Sequence, residues 1–258
     1  MSGECIYYSL RPNKFVERYL FVELLQKSIR DFSSDDYVYV SLGGPQLEDH
    51  HLINCKLGIK NLLSLEKSHS IITRQEYNKR RADIKCNEID ASEFINNFST
   101  HISCYSGKKF IIWLDFSSPN ERYEQLSELE ALLKNYTFGD VVKITMNANA
   151  RTLGIHKEGW STDDLYRHRR EKVQQQLGEY LPSLGVEKIN KDTFPIILSQ
   201  AIKNAALRGL DNTLNETVLP LGIFLYNDGN HQMITVTMIV INLDDVDNYR
   251  DWLGTNGW

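Results

Sequence analysis

Residues 218–241 read VLPLGIFLYNDGNHQMITVTMIVI, two long apolar runs around Asn227-Asp228-Gly229-Asn230. Runs of this kind broken by Asn, Asp and Gly signal a β-hairpin, because those residues accept the positive φ of a tight turn. A hairpin forces its two strands antiparallel. Everything before it follows another rhythm. YVYVSL (37–42), IKNLLSLE (59–66), IKCNEID (84–90), KKFIIWLDF (108–116) and DVVKITMNA (140–148) are short β-rich runs. Helical stretches separate them: LEDHHLINCKLG, SHSIITRQEYNKRRADI, ASEFINNF and NERYEQLSELEALLKNY. Strands that alternate with helices predict a parallel sheet covered on both faces. The expectation is an α/β, Rossmann-like, doubly wound and mainly parallel seven-stranded sheet that ends in an antiparallel hairpin.

One domain over residues 1–258 accounts for this order. Residues 1–34 form an N-terminal helical segment, with Pro12 suited to the first turn and Phe15, Tyr19, Val22, Leu25 and Ile29 as its apolar face. Gly58 stops the helix that follows the first strand. Residues 148–192 break the rhythm. They read as a helical insertion or lid-like segment, rich in Arg and Gln and capped by Ser161 or Thr162. The net charge of −5 supplies no global basic field, so nucleic acid is not an expected partner. Cys5, Cys55, Cys86 and Cys104 form no CxxC. That fits reduced thiols in a cytoplasmic protein better than a disulfide frame or a zinc site. The start has no apolar signal-peptide core, and no run of 18 apolar residues exists, so no membrane span is expected.

Ligands of open α/β sheets sit beyond the carboxyl ends of the strands. The first strand ends at Gly43-Gly44-Pro45, and Pro45 is expected to start the next helix. The two glycines either let a ligand approach the backbone or supply positive φ to a turn. The second strand ends at Glu66, 23 residues after Gly43, about where an acid accepts from ribose hydroxyls. Asp90 ends the third strand, beside the ligand crevice or as the cap of ASEFINNF. Asp115 ends the fourth. Glu48 and Asp49 complement a helix dipole or bind an ammonium group.

A doubly wound sheet ending in a hairpin, with acids at these strand ends, resembles the class I S-adenosylmethionine (SAM) dependent methyltransferases. The runs SLGGPQLEDHHLI, LGIKNLLSLE, RQEYN, IIWLDF, GDVVKITMNA and FLYNDG…MITVT, over most of residues 11–241, resemble a group of bacterial proteins known only as putative O-methyltransferases. The resemblance implies SAM as cofactor. It implies Gly43, Gly44, Glu66, Asp90 and Asp115 as cofactor-binding residues, and Asp115 as the catalytic one, near the transferred methyl or on the cofactor's amino group. The first loop departs from the E/DxGxGxG of that class, having two adjacent glycines and no acid. DFSSP lacks the proline and aromatic of the (D/N)PPY loop, so it gives no sign of methylation on nitrogen. No metal is expected, although Asn147 and Asn149 stand where a second ligand would come from. An oxygen acceptor needs a base, and His50, His51, Lys143 and Asp115 are the candidates. The cationic Arg11, Lys14 and Arg18 either fold over the cleft or form a solvated face. So do two functional classes remain. One is a methyltransferase acting on oxygen of an unknown acceptor. The other is a catalytically silent SAM- or nucleotide-binding module working through a protein partner, for example in bacterial defence or a mobile element. A homo-oligomer is compatible with both.

Overall fold

The computed structural model describes residues 11–79, 83–183, 188–210 and 215–255. Cys5, residues 80–82 of the expected second inter-strand helix and residues 184–187 of the 148–192 segment lie outside them. The strands are β1 (Tyr37–Leu42), β2 (Asn61–Leu65), β3 (Ile84–Asn87), β4 (Lys109–Asp115), β5 (Val141–Asn147), β6 (Glu216–Asp228) and β7 (His231–Asn242). The helices are α1 (Pro12–Ser28), α2 (Glu48–Leu57), α3 (His69–Asn78), α4 (Ala91–Asn96), α5 (Phe98–His101), α6 (Arg122–Leu133), α7 (Thr162–Leu177), α8 (Thr193–Gly209) and α9 (Val246–Thr255).

The seven strands form one sheet in the order β3-β2-β1-β4-β5-β7-β6. β1 to β5 run parallel, and β7 is antiparallel to both β5 and β6. The doubly wound sheet with its terminal hairpin is therefore as expected. The order reverses between β1 and β4, and the crevice at such a switch point is where open α/β sheets take their ligands.

Alternate residues of each strand feed two cores, as the period of two demands. Val38, Val40, Phe110, Ile112, Leu114, Val142 and Ile144 pack with α4, α6 and α8. Tyr37, Tyr39, Ile111, Trp113 and Val141 pack on the other face with α1 and α2. Val173, Leu177 and Tyr180 of the 148–192 stretch belong to the first core. Ser161 caps α7 through a complete capping box with Asp164, which satisfies two backbone donors at the helix start. Gly58 closes α2 at φ 74°.

Two local expectations are corrected. Pro45 does not start α2, which begins at Glu48; Pro45 and Gln46 form a turn that Leu47 closes by donating its N–H to the Gly44 carbonyl (3.1 Å). The left-handed residue of this loop is Leu47 (φ 52°), and neither Gly43 nor Gly44 has positive φ. The apolar face of α1 is also rotated in its first half. Phe15 and Tyr19 point to solvent, while Lys14, Glu17, Arg18 and Phe21 are buried.

Candidate functional site at the β1–β4 switch point

The floor of the crevice is the loop after β1. Gly43 packs so closely on β2 that a Cβ there would lie 2.0 Å from Ser64 Oγ. Gln75 of α3 donates Nε2 to the Gly43 carbonyl (2.5 Å), and Ser64 Oγ donates to Gln75 Oε1 (3.0 Å). Asn78 donates Nδ2 to the Pro45 carbonyl (2.9 Å). α3 thus clamps the loop from one side. The glycine answers first to this contact, since its φ is ordinary and a side chain has no room.

Behind the loop lies a buried polar knot. Tyr39 and Ser41 of β1 donate their hydroxyls to Asp49, Tyr39 at 2.9 Å. His50 Nε2 donates to the Leu63 carbonyl at 2.8 Å, and Nδ1 faces Asp49 Oδ1 at 3.3 Å. Burial alone would push the Asp49 carboxyl up. His50, Arg18 and the Ser41 hydroxyl outweigh it and hold the group well below the usual carboxylate range. Ser41, His50 and Asp49 have the composition of a nucleophilic triad, but all three are buried and Ser41 bonds directly to the acid. They anchor α2 to β1.

The strand tips carry the other predicted residues. Glu66, half-buried past the end of β2, accepts from the Ser68 N–H (2.9 Å), which fixes the carboxylate at the start of α3. Asp90 is the N-cap of α4 and accepts from the Glu93 N–H (2.8 Å). Asp115, at the tip of β4, pairs with Lys14 of α1 (Nζ–Oδ2 2.6 Å). Burial would raise the Asp115 carboxyl, but Lys14 first, then Arg18 and Lys143, hold it below its ordinary value. Half-buried Leu42, Ile89 and Phe116 add apolar surface at the ends of β1, β3 and β4.

The roof is α1. Arg18 stands over the Trp113 ring (5.5 Å) and 4.0 Å from Glu48. Lys143 of β5 lies between the rings of Trp113 and Phe21 and pairs with Glu17 of α1 (2.8 Å). Burial, opposed by Glu17, lowers Lys143 to about 8. Of the cations of RPNKFVER, Lys14 and Arg18 are buried and Arg11 is half-buried against Asp228. This charged roof is what the apolar periodicity hid. The signal available was Lys14, Glu17, Arg18, Phe21, Leu25 and Ser28, a stripe at three- and four-residue steps running the length of the helix. The structure brings Gly43, Gly44, Glu66 and Asp115 to the ends of the adjoining strands β2, β1 and β4, with Asp90 beyond β3. His50 is enclosed in the knot and His51 is half-buried beside it. Among the described residues no group of three or more His, Cys, Asp or Glu is placed to hold a metal ion. No helix among them is long and apolar enough to cross a membrane.

The sheet is Rossmann-like and mainly parallel, with the antiparallel β7 inserted between β5 and β6. The chain belongs to the family described as "Putative O-methyltransferase", whose model matches residues 6–255. A search of curated proteins found no match. Among solved structures the chain is similar to a putative O-methyltransferase from Klebsiella pneumoniae, with 11% identity over 93% of this chain and 84% of that one and a TM-score of 0.47. It is similar to an O-methyltransferase from Bacillus cereus in complex with SAH (10%, 87% and 80%, TM-score 0.46). It is also similar to the N-methyltransferase NodS from Bradyrhizobium japonicum WM9 in complex with S-adenosyl-L-homocysteine (12%, 90% and 90%, TM-score 0.44). Likenesses this distant give no residue a role.

The family implies SAM as methyl donor, and the donor set here fits it. Ribose hydroxyls need an acceptor, and Glu66 offers a fixed carboxylate at the β2 tip. An adenine ring needs apolar walls, and Leu42, Ile89 and Phe116 are exposed in part at the neighbouring tips. The α-ammonium and sulfonium are cationic, and Asp115 is an ionised carboxylate at the switch point.

Proposed function

We propose that this protein transfers the methyl group of SAM to an oxygen of an acceptor molecule, at the crevice between the β1 and β4 tips. The observation that carries the reading is Glu66. It is a half-buried carboxylate, held by the Ser68 N–H, at the one strand tip where a doubly wound nucleotide site needs a ribose acceptor. Membership of the O-methyltransferase family supports both the donor and the oxygen target.

The sulfonium of bound SAM supplies an activated methyl, so the protein's task is position and charge. Glu66 accepts from the ribose hydroxyls, and Leu42, Ile89 and Phe116 flank the base. The carbonyls of Gly43 and Gly44 form the backbone edge next to the donor's amino-acid end. The Asp90 side chain is engaged as a helix cap, which leaves its neighbourhood rather than its carboxylate to border the base. Asp115 contributes a fixed negative charge for the donor's cationic α-ammonium; its carboxyl lies below its ordinary value, so it is a weak base. α1 lies over the crevice, with Arg18 above the Trp113 ring.

Calorimetric titration with SAM tests the reading. Micromolar binding by the wild type and a loss of at least roughly tenfold in Glu66→Ala are expected, the scale of one or two charge-assisted hydrogen bonds. A folded Glu66→Ala that binds SAM as the wild type does removes the assignment. SAM binding without release of S-adenosylhomocysteine in the presence of cell extract would favour a binding module that acts through a protein partner.

A further inference from the structure

Two acceptors of the crevice already carry the protein's own donors. The Asp115 carboxylate carries the Lys14 ammonium at 2.6 Å, with both side chains largely buried. The Gly43 carbonyl is taken by Gln75 (2.5 Å). These are the two kinds of acceptor that the ammonium of an amino-acid-derived ligand requires, and the protein's own donors sit on them. A lysine ammonium and an α-ammonium have the same charge and three donors each.

α1 is held differently along its length. Its second half is locked by apolar contact, with Phe21, Leu24 and Leu25 fully in the core. Its first half has Phe15, Val16, Tyr19 and Leu20 exposed. Polar contacts of the inner face fasten that half. Arg11 Nε donates to Asp228 Oδ1 (2.6 Å), Asn13 Nδ2 to the Asn227 carbonyl (2.7 Å), Lys14 pairs with Asp115, and Glu17 with Lys143. Polar contacts can be exchanged for a ligand's at little net change in free energy, whereas an apolar core cannot.

We propose that Lys14 is a built-in competitor of the cofactor: its ammonium occupies, on Asp115, the place of the SAM α-ammonium, and the first turns of α1 are a gate that SAM binding displaces. The proposal rests on the reading of this crevice as the SAM site. The apparent dissociation constant of a ligand rises as the fraction of protein in its binding-competent state falls. If the Lys14–Asp115 pair is closed nine times in ten, Lys14→Met binds SAM roughly tenfold more tightly than the wild type. A residue that merely supports the fold, or that helps to hold SAM, would not tighten binding when removed.

The test is calorimetric titration of SAM into the wild type, Lys14→Met and Lys27→Met, the last an exposed lysine farther along the same helix. Amide hydrogen exchange of the wild type with and without saturating SAM accompanies it. Expected are tighter binding by Lys14→Met, no change in Lys27→Met, and faster exchange over residues 12–20 in the wild type when SAM is bound. Equal or weaker binding by a folded Lys14→Met overturns the proposal. Should that variant not fold, exchange in the wild type decides: unchanged or slower exchange over residues 12–20 overturns the gate. If folded wild type and folded Lys14→Met both fail to bind SAM, the cofactor reading falls, and the gate falls with it. Binding that Glu66→Ala weakens and Lys14→Met leaves alone keeps the cofactor reading and overturns only the gate.

Discussion

Alanine at position 43 probes why the chain has a glycine where β1 ends. The backbone there has no positive φ, so the effect of a methyl group comes from contact alone. The new Cβ would lie 2.0 Å from Ser64 Oγ, 3.0 Å from Gln75 Nε2 and 3.1 Å from Ser64 Cβ. Rotating Ser64 away relieves the first contact but gives up its hydrogen bond to Gln75, worth about 1 kcal/mol. The 3.1 Å contact remains, and β2 has to shift. Overpacking of this kind costs about 1–3 kcal/mol. For a chain of this length each kcal/mol moves Tm by about 2–4 °C, so Gly43→Ala should melt on the order of 5–10 °C below the wild type. Thermal unfolding by circular dichroism reads it. Ser64→Gly removes both offending atoms, so the double variant should recover about 1–2 kcal/mol relative to the sum of the singles. A Gly43→Ala protein within about 1 °C of the wild type that nonetheless loses SAM binding would refute this reasoning. The glycine would then be there for a ligand and not for Ser64.

Two further variants report on the buried charges. Burial lowers Lys143 to about 8 from 10.5, so between those values the unfolded chain keeps a proton that the folded chain releases; stability rises with pH across about 8–10. Urea unfolding of the wild type minus the Lys143→Met/Glu17→Gln double variant should show that rise, and a flat difference would refute the burial account. Arg122, fully buried, donates to the carbonyls of Pro119 (2.6 Å) and Asn147 (3.1 and 2.8 Å) and to Thr152 Oγ1 (2.7 Å), tying the β4–α6 loop to the tip of β5. Arg122→Met strands these acceptors and should destabilise by about 3–5 kcal/mol, measured by the same unfolding curve, and a loss below about 1 kcal/mol would show that water replaces the guanidinium.

Element order was legible because each signal was local. The hairpin is set by Gly229 in the left-handed region between two apolar runs, and the capping box by a serine and an aspartate three residues apart. Asp90 was readable as a cap for the same reason, with Glu93 three residues on. The crevice was legible in part, since strand ends place Glu66 and Asp115 once the doubly wound order is known. The role of Gln75 was not legible. No local pattern distinguishes a glutamine that reaches back to Gly43, 32 residues earlier, from one facing water. The face of α1 was misread for a related reason. Phe15 and Tyr19 share a helical period with Lys14 and Arg18, offset by about one residue, and hydrophobicity favours the wrong stripe when charges are paired inside.

That inversion bears on function more than on stability. An ion pair taken out of water recovers little beyond what its desolvation costs, and apolar residues of the same volume hold a core at least as well. Stability alone therefore gives no reason to bury Lys14, Glu17, Arg18 and Lys143 against Asp115 and Glu48. The placement is not random either. On the α4–α8 side the strand residues from Val38 to Met146 that build the core are apolar. On the α1 side the charges gather over the tip of β4 and the first half of β5, with Glu48 opening α2 at the switch point. Phe21, Leu24 and Leu25, one to three turns farther along α1, return to an apolar interior. A helix that is apolar where it is anchored and charged where it covers the crevice is built to be held firmly at one end and to exchange partners at the other.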